Sequence, residues 1–292
     1  MNAFLGLPAL VGISAAVIAW GFSTRSRPDI AVKVLSASFV LTAIAIFAAA
    51  ALYAVAWMIP AEQSLWCSRM LGHSVDHRPI AGLIVLSMLA LIAGRALVVA
   101  RRVTRVWSAE AAGRPPIAVE PSDELYAFSV PPTSGSPGSI VVSTSMLGAL
   151  TNKEQAALFA HERAHLRFSH HRYLLVGRVL EGVVPFIRPL TRRVYWLLER
   201  WADESAASEL GDRDIVATAI AHAALSASGR STPALLGFGS DSVVNRVEAL
   251  FEPLTSPSRS ANLILGLCVL ATAAATTTQL HHLAELVRNM TG

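Results

Sequence analysis

His161-Glu162-Arg163-Ala164-His165 reads H-E-x-x-H inside a helix-forming segment. Two histidines four residues apart stand on one helix face, one turn from each other, so both rings can reach one metal ion. Glu162, beside the first of them, is placed to act on a water molecule that the ion activates. The chemistry that suits this pattern is zinc-assisted hydrolysis, with His161 and His165 as ligands and Glu162 as general base.

A zinc hydrolase needs three protein ligands and an open position. The third is expected from another helix. Leu198-Glu-Arg-Trp-Ala-Asp-Glu204 offers Glu199 and Asp203, again four apart on one face. Glu199 reads as the third ligand, one Zn2+ being held per chain. Asp203 reads as the acceptor of the outer N–H of a ligand histidine, which fixes its tautomer. Glu162 would take a proton from the attacking water and pass it to the leaving amine. On a continuing helix, His170 and His171 project away from His165, so neither reads as a ligand. His222 reads as a packed helix histidine.

The elements that must position these groups are legible in outline. Thr151-Asn-Lys-Glu154 is a capping box that opens the helix of His161 and His165. Helices are expected from near Thr191 through Ala207, over Arg213 to Ser228 and over Ser242 to Phe251. Upstream, Gly113-Arg-Pro-Pro-Ile117 and Pro131-Pro-Thr-Ser-Gly-Ser-Pro-Gly138 punctuate β-prone runs at Glu124 to Val130 and Ser139 to Thr144. These predict a small sheet of two or three strands. A peptide substrate could add as a further strand along an exposed edge at Ile140, Val141 and Val142.

Of the 292 residues, 53% are hydrophobic and only 15% charged. A soluble domain carries about a quarter charged residues, so the balance points to a lipid bilayer. Met1 to Thr24 and Val34 to Ala61 contain no Asp, Glu, Lys or Arg. Pro79 to Ala100 contains only Arg95, and Ser260 to Glu285 one charge. Each run meets the roughly 20 residues needed to span a membrane. The expectation is a mainly α membrane protein with four transmembrane helices, at about 3–22, 34–59, 79–100 and within 260–292. The first lacks a basic leader and reads as a retained helix.

Basic residues Arg25, Arg27 and Lys33, and Arg101, Arg102 and Arg105, place their flanks in the cytoplasm. Both termini then face outward across the plasma membrane. Residues 1–106 hold three spans, 107–259 form a cytoplasmic α+β domain inserted between helices three and four, and 260–292 hold the last span and a short outer tail. Tyr173 to Leu190 is apolar but interrupted by Pro185 and Pro189, and reads as lying at the membrane surface or packing on the domain. The net charge of +4 follows from these flanks and implies no direct nucleic-acid binding. Cys67 and Cys268 fall in a loop and a span, an arrangement unsuited to a disulfide or a thiolate metal site.

At H-E-R-A-H followed by E-x-x-A-D, here Glu199 to Asp203, the chain resembles the gluzincin membrane metallopeptidases. These include an HtpX and CAAX-prenyl-protease type and a BlaR/MecR type. In the HtpX type two spans separate the histidine helix from the glutamate helix. The segment between His165 and Glu199 is too short for that. Three spans, a peptidase and one span resemble the BlaR/MecR type. The resemblance implies a zincin-like (minigluzincin) domain, a protein or peptide substrate, and, in signalling members, a cytoplasmic DNA-binding repressor as the protein cleaved. It also draws attention to Arg246, which would stabilise the oxyanion or pair with Asp203. The extracellular penicillin-binding sensor domain of the antibiotic-sensing members is not expected here, so a signal would arrive through the helices, the outer loop or a partner.

The function expected is an integral-membrane zinc endopeptidase acting in signalling. A quality-control protease for membrane proteins is the alternative in the same class. A non-catalytic membrane transducer is the alternative in another, although a structural metal site has no need of the general base Glu162. The spans lack the buried charges of a transporter.

Overall fold

In the computed structural model, residues 13–14, 17–18, 20–21, 27–59, 77–228, 240–252 and 259–291 are described. In chain order the elements are α1 (Pro28–Met58), α2 (Pro79–Ala111), β1 (Ile117–Glu120), β2 (Ala127–Val130), β3 (Ser139–Ser143), α3 (Thr144–Ala149), α4 (Asn152–Arg167) and α5 (His170–Val183). A 3-10 turn at Pro185–Ile187 leads into α6 (Arg188–Leu210), followed by α7 (Arg213–Ser228), α8 (Ser240–Phe251) and α9 (Arg259–Thr291). The chain divides into two compact units. One comprises Met1–Val98, Gly182–Pro185 and Pro257–Gly292, and the other Val99–Glu181 and Phe186–Ser256.

In the first unit α1 packs on α9, and the Thr276 hydroxyl donates to the Leu41 carbonyl at 3.2 Å. Gly82 allows close approach of α2 to α1, because a Cβ there would lie 2.5 Å from the Ala54 carbonyl oxygen. Among the described residues, α1 and α2 are long and apolar enough to cross a membrane, by length and composition. They correspond to the expected spans 34–59 and 79–100, with α2 running on to Ala111. The expected span 3–22 lies almost wholly outside the described residues, as do most of the outer loop and Cys67. α9 is a single 33-residue helix, and Gly266–Thr278 is an apolar stretch within it. Thr276-Thr-Thr-Gln279 and His281-His282 interrupt it with polar groups. Two candidate spans are thus present among the described residues.

The second unit is helical with a small mixed sheet of order β1-β3-β2. β1 runs parallel to β3, pairing Ile117 with Ile140. β2 runs antiparallel to it, pairing Ala127 with Val142. The expectation of a substrate edge at Ile140, Val141 and Val142 is therefore corrected: β3 is the central strand, hydrogen-bonded on both sides and buried at every position. A run of three branched apolar residues without alternation suits a strand covered on both faces. β1 extends the sheet beyond the two β-prone runs read from the sequence.

Small residues bring the helices together. Ala157 and Ala160 of α4, Ala206 and Ala207 of α6, and Ala217 and Ala219 of α7 share one buried cluster with Val216 and Leu250. With only methyl groups at the crossings, side chains one turn away on facing helices come within bonding distance of one another. α4 starts at the expected capping box, both of whose hydrogen bonds form. α6 begins with Pro189 in its first turn and ends at Gly211, whose φ of 68° is the left-handed conformation that glycine adopts freely.

Candidate metal centre

His161 and His165 project from α4 toward Glu199 and Asp203 on α6. His161 Nε2 lies 3.1 Å from His165 Nε2 and 3.5 Å from Glu199 Oε2. His165 Nε2 lies 3.6 Å from Glu199 Oε1. Ligands held about 2.0–2.1 Å from a tetrahedral zinc are about 3.3 Å apart, so these three donors fit one ion with no rearrangement beyond a few tenths of an ångström. His161, His165 and Glu199 form the group that could hold a metal among the described residues.

The outer contacts orient the donors. His161 Nδ1 donates to Asp203 Oδ1 at 2.8 Å, which leaves Nε2 facing the shared point. Asp203 is almost fully buried, and Arg246 of α8 grips it with both ends of its fork: Nε to Oδ2 at 2.8 Å and the terminal nitrogen to Oδ1 at 2.7 Å. The other terminal nitrogen reaches Glu199 Oε2 at 3.1 Å. All three guanidinium nitrogens thus face carboxylates. Of the two roles open to Arg246 in the sequence, the pairing is the one the structure contains. Burial alone would raise the carboxyls of Glu199 and Asp203; Arg246 and the histidines outweigh it and hold both below the usual range.

Glu162 points into the same place and is buried. Burial is the main reason its carboxyl is pushed up to about 7, with His161 opposing and Glu199 adding to the rise, while Ser129 of β2 hydrogen-bonds to it. A group poised near neutrality can both accept and release a proton at working pH. Beside it opens a cavity of about 170 Å³ whose walls, away from His161, Glu162, Glu199, Asp203 and Arg246, are apolar, among them Met146, Leu150, Leu158, Val216, Ile220 and Val243. The arrangement can hold a divalent cation, activate water with a nearby carboxylate, and seat an apolar side chain next to that point.

Two groups escaped the sequence reading. α4 does not continue past Arg167; Ser169 has φ 54°, and the chain turns before α5 begins. His170 consequently does not project away from His165. It is fully buried, with Nδ1 3.0 Å from His165 Nδ1. Burial pushes its pKa down to about 3, so the ring is neutral. Nothing in Phe168-Ser169 marks a left-handed turn, since serine adopts positive φ uncommonly. His171 lies edge-on to Trp107 at 5.8 Å, away from the centre. The second missed group is Ser129, which became visible only when β2 was placed against α4. His222, read as a packed histidine, is instead exposed; it donates from Nδ1 to buried Glu154 at 2.6 Å and ties α7 to the start of α4.

Residues 93–222 match Peptidase family M48, a stretch that includes His161, Glu162, His165, Glu199 and Asp203. That stretch is therefore similar to a metallopeptidase domain. The match does not extend to the BlaR/MecR type in particular. No curated protein and no solved structure matches the chain.

Proposed function

We propose that the chain is an integral-membrane, zinc-dependent endopeptidase that cleaves a protein substrate on the cytoplasmic side. The observation that carries this reading is the convergence of two histidine Nε2 atoms and the Glu199 carboxylate beside a buried Glu162. The match of residues 93–222 to a peptidase family supports it, as do the two apolar helices. His161, His165 and Glu199 would hold the ion, which supplies Lewis-acid activation of water and of the peptide carbonyl when bound.

Glu162 takes the proton from the attacking water on its carboxylate and delivers it to the leaving nitrogen. Ser129 and the close packing of β2 against α4 fix that carboxylate. Asp203 and Arg246 hold His161 and Glu199 in register. The substrate backbone adds along β2, which has no strand partner on its outer side among the described residues. An apolar substrate side chain enters the cavity between α4 and α7. Arg101, Arg102 and Arg105 support a cytoplasmic position for this unit at the plasma membrane; with the four expected spans, both termini lie outside. In the signalling form of this reading the protein cleaved is a DNA-binding repressor, a role supported by the resemblance to the BlaR/MecR type.

The test compares cells carrying the chain with cells carrying Glu162→Ala, by proteomics of new protein termini, with the zinc content of both purified proteins measured in parallel. Cleavage that disappears while zinc stays at one per chain is the expected result. If no terminus depends on Glu162 while the metal is bound, the chain is a transducer and not a peptidase.

A further inference from the structure

We infer that His170 is a positioning residue for His165, accepting the Nδ1–H of that ligand through its own Nδ1 and so fixing both the tautomer and the ring plane with which His165 meets the ion. The inference rests on the metal site proposed above. The two Nδ1 atoms are 3.0 Å apart, so one donates and the other accepts. A histidine that gives its Nε2 lone pair to a metal carries its proton on Nδ1. His165 is therefore the donor, and His170 must present a bare Nδ1 and carry its own proton on Nε2.

The surroundings leave His170 little freedom to do otherwise. It is completely buried, so water cannot take its place as acceptor. Its ring is stacked near Phe168, with centroids 6.1 Å apart and planes 24° apart, and lies 4.7 Å from Trp201. It stands at 90° to the ring of His165, the orientation that aims one nitrogen at the other. Its Nε2 has no hydrogen-bond partner among the described residues. A phenylalanine would fill this aromatic cage without leaving a dry N–H. What the imidazole adds is the acceptor on its other side.

The choice of a neutral acceptor also fits the charge of the centre. Glu162, Glu199 and Asp203 against Arg246 and a divalent cation already sum to zero. His161 uses the carboxylate of Asp203 as its outer partner. A second carboxylate behind His165 would leave a buried excess negative charge, whereas an imidazole orients the ligand and adds none.

The test uses the full chain in detergent, with zinc affinity measured by competition against a chromogenic chelator. His170→Phe keeps the stacking and removes the acceptor; His170→Asn puts an oxygen where Nδ1 stood. The expectation is a loss of zinc affinity of about 10–100-fold for the Phe variant and a return to within about threefold of wild type for Asn. Equal affinity for the Phe variant and wild type overturns the inference. So does an equal loss in both variants, which would mean that the residue serves packing alone. Should the Phe variant fail to fold, nitrogen NMR of histidine-labelled, zinc-loaded wild type decides: a proton on Nδ1 of His170 overturns the inference, and one on Nε2 supports it. Wild type that takes up no zinc defeats the site reading first, and this inference with it.

Discussion

Replacing Arg246 with methionine removes the cation of the cluster and keeps most of its volume. Asp203, 2% exposed, then keeps only the His161 contact. Glu199 loses the 3.1 Å contact that, with the histidines, holds it ionised. Breaking a buried pair by removing one partner costs about 3–5 kcal/mol. Glu199 is 23% exposed and adds less than Asp203. For a unit of this size each kcal/mol moves Tm by about 2–4 °C, so chelated Arg246→Met should melt about 6–20 °C below chelated wild type. Zinc should narrow the gap, because the ion replaces part of the missing positive charge. Arg246→Lys should recover only part of the loss, since an ammonium is a point charge and cannot span both carboxylates. Thermal unfolding followed by tryptophan fluorescence, with chelator and with zinc, measures all three proteins. A chelated Met variant melting within about 2 °C of wild type would refute the reasoning. If kcat then fell about 100–1000-fold at unchanged Tm, Arg246 would be acting on the oxyanion instead.

Glu154 should carry part of the acid sensitivity of the fold. Burial alone would raise its carboxyl, but the Thr151 N–H and hydroxyl and then His222 outweigh it, so its folded pKa lies below the ordinary value. Stability from a depressed carboxylate is fully present above the unfolded pKa and is lost as pH falls through the folded one. The Tm gap between wild type and Glu154→Gln should therefore close between about pH 5 and pH 3; a gap constant across that range would count against this. Gly177→Ala should destabilise, because its Cβ would meet the Tyr195 hydroxyl and lie 2.7–2.8 Å from two ring carbons. Overpacking of this kind costs about 1–3 kcal/mol, and an unchanged Tm would show that α5 can move away from α6.

The sequence made the helical parts of the centre legible for a physical reason. His161 and His165, like Glu199 and Asp203, are related by a single helical turn, so a local rule fixes their shared face. Thr151 and Glu154 mark where that helix starts. That the two faces meet follows from alanines at the crossing, whose spacing on α4 and α6 is visible only once the helices are known to be partners. Arg246 is further still from local rules. Its three contacts are made from a third helix, and the charge of buried Asp203 and partly buried Glu199 is what calls for it.

The misreadings have the same cause from the other side. Placing His170 away from His165 assumed that the helix runs on, and 3.6-residue geometry did require that separation. One residue in the left-handed region reverses the conclusion, and a serine there gives no warning. The strand at Ile140 to Val142 could be internal or an edge as long as its neighbours were unknown. Its unbroken apolar run pointed to burial on both faces, since a strand with one face in water would alternate; the central place came from the pairing with β1 and β2. β2 is less buried than β3, with Phe128 exposed and only Val130 fully buried, and its Ser129 lies beside Glu162. Under the proposed function, a peptide that adds along β2 would be aligned by the same strand whose Ser129 lies beside the proposed base, Glu162.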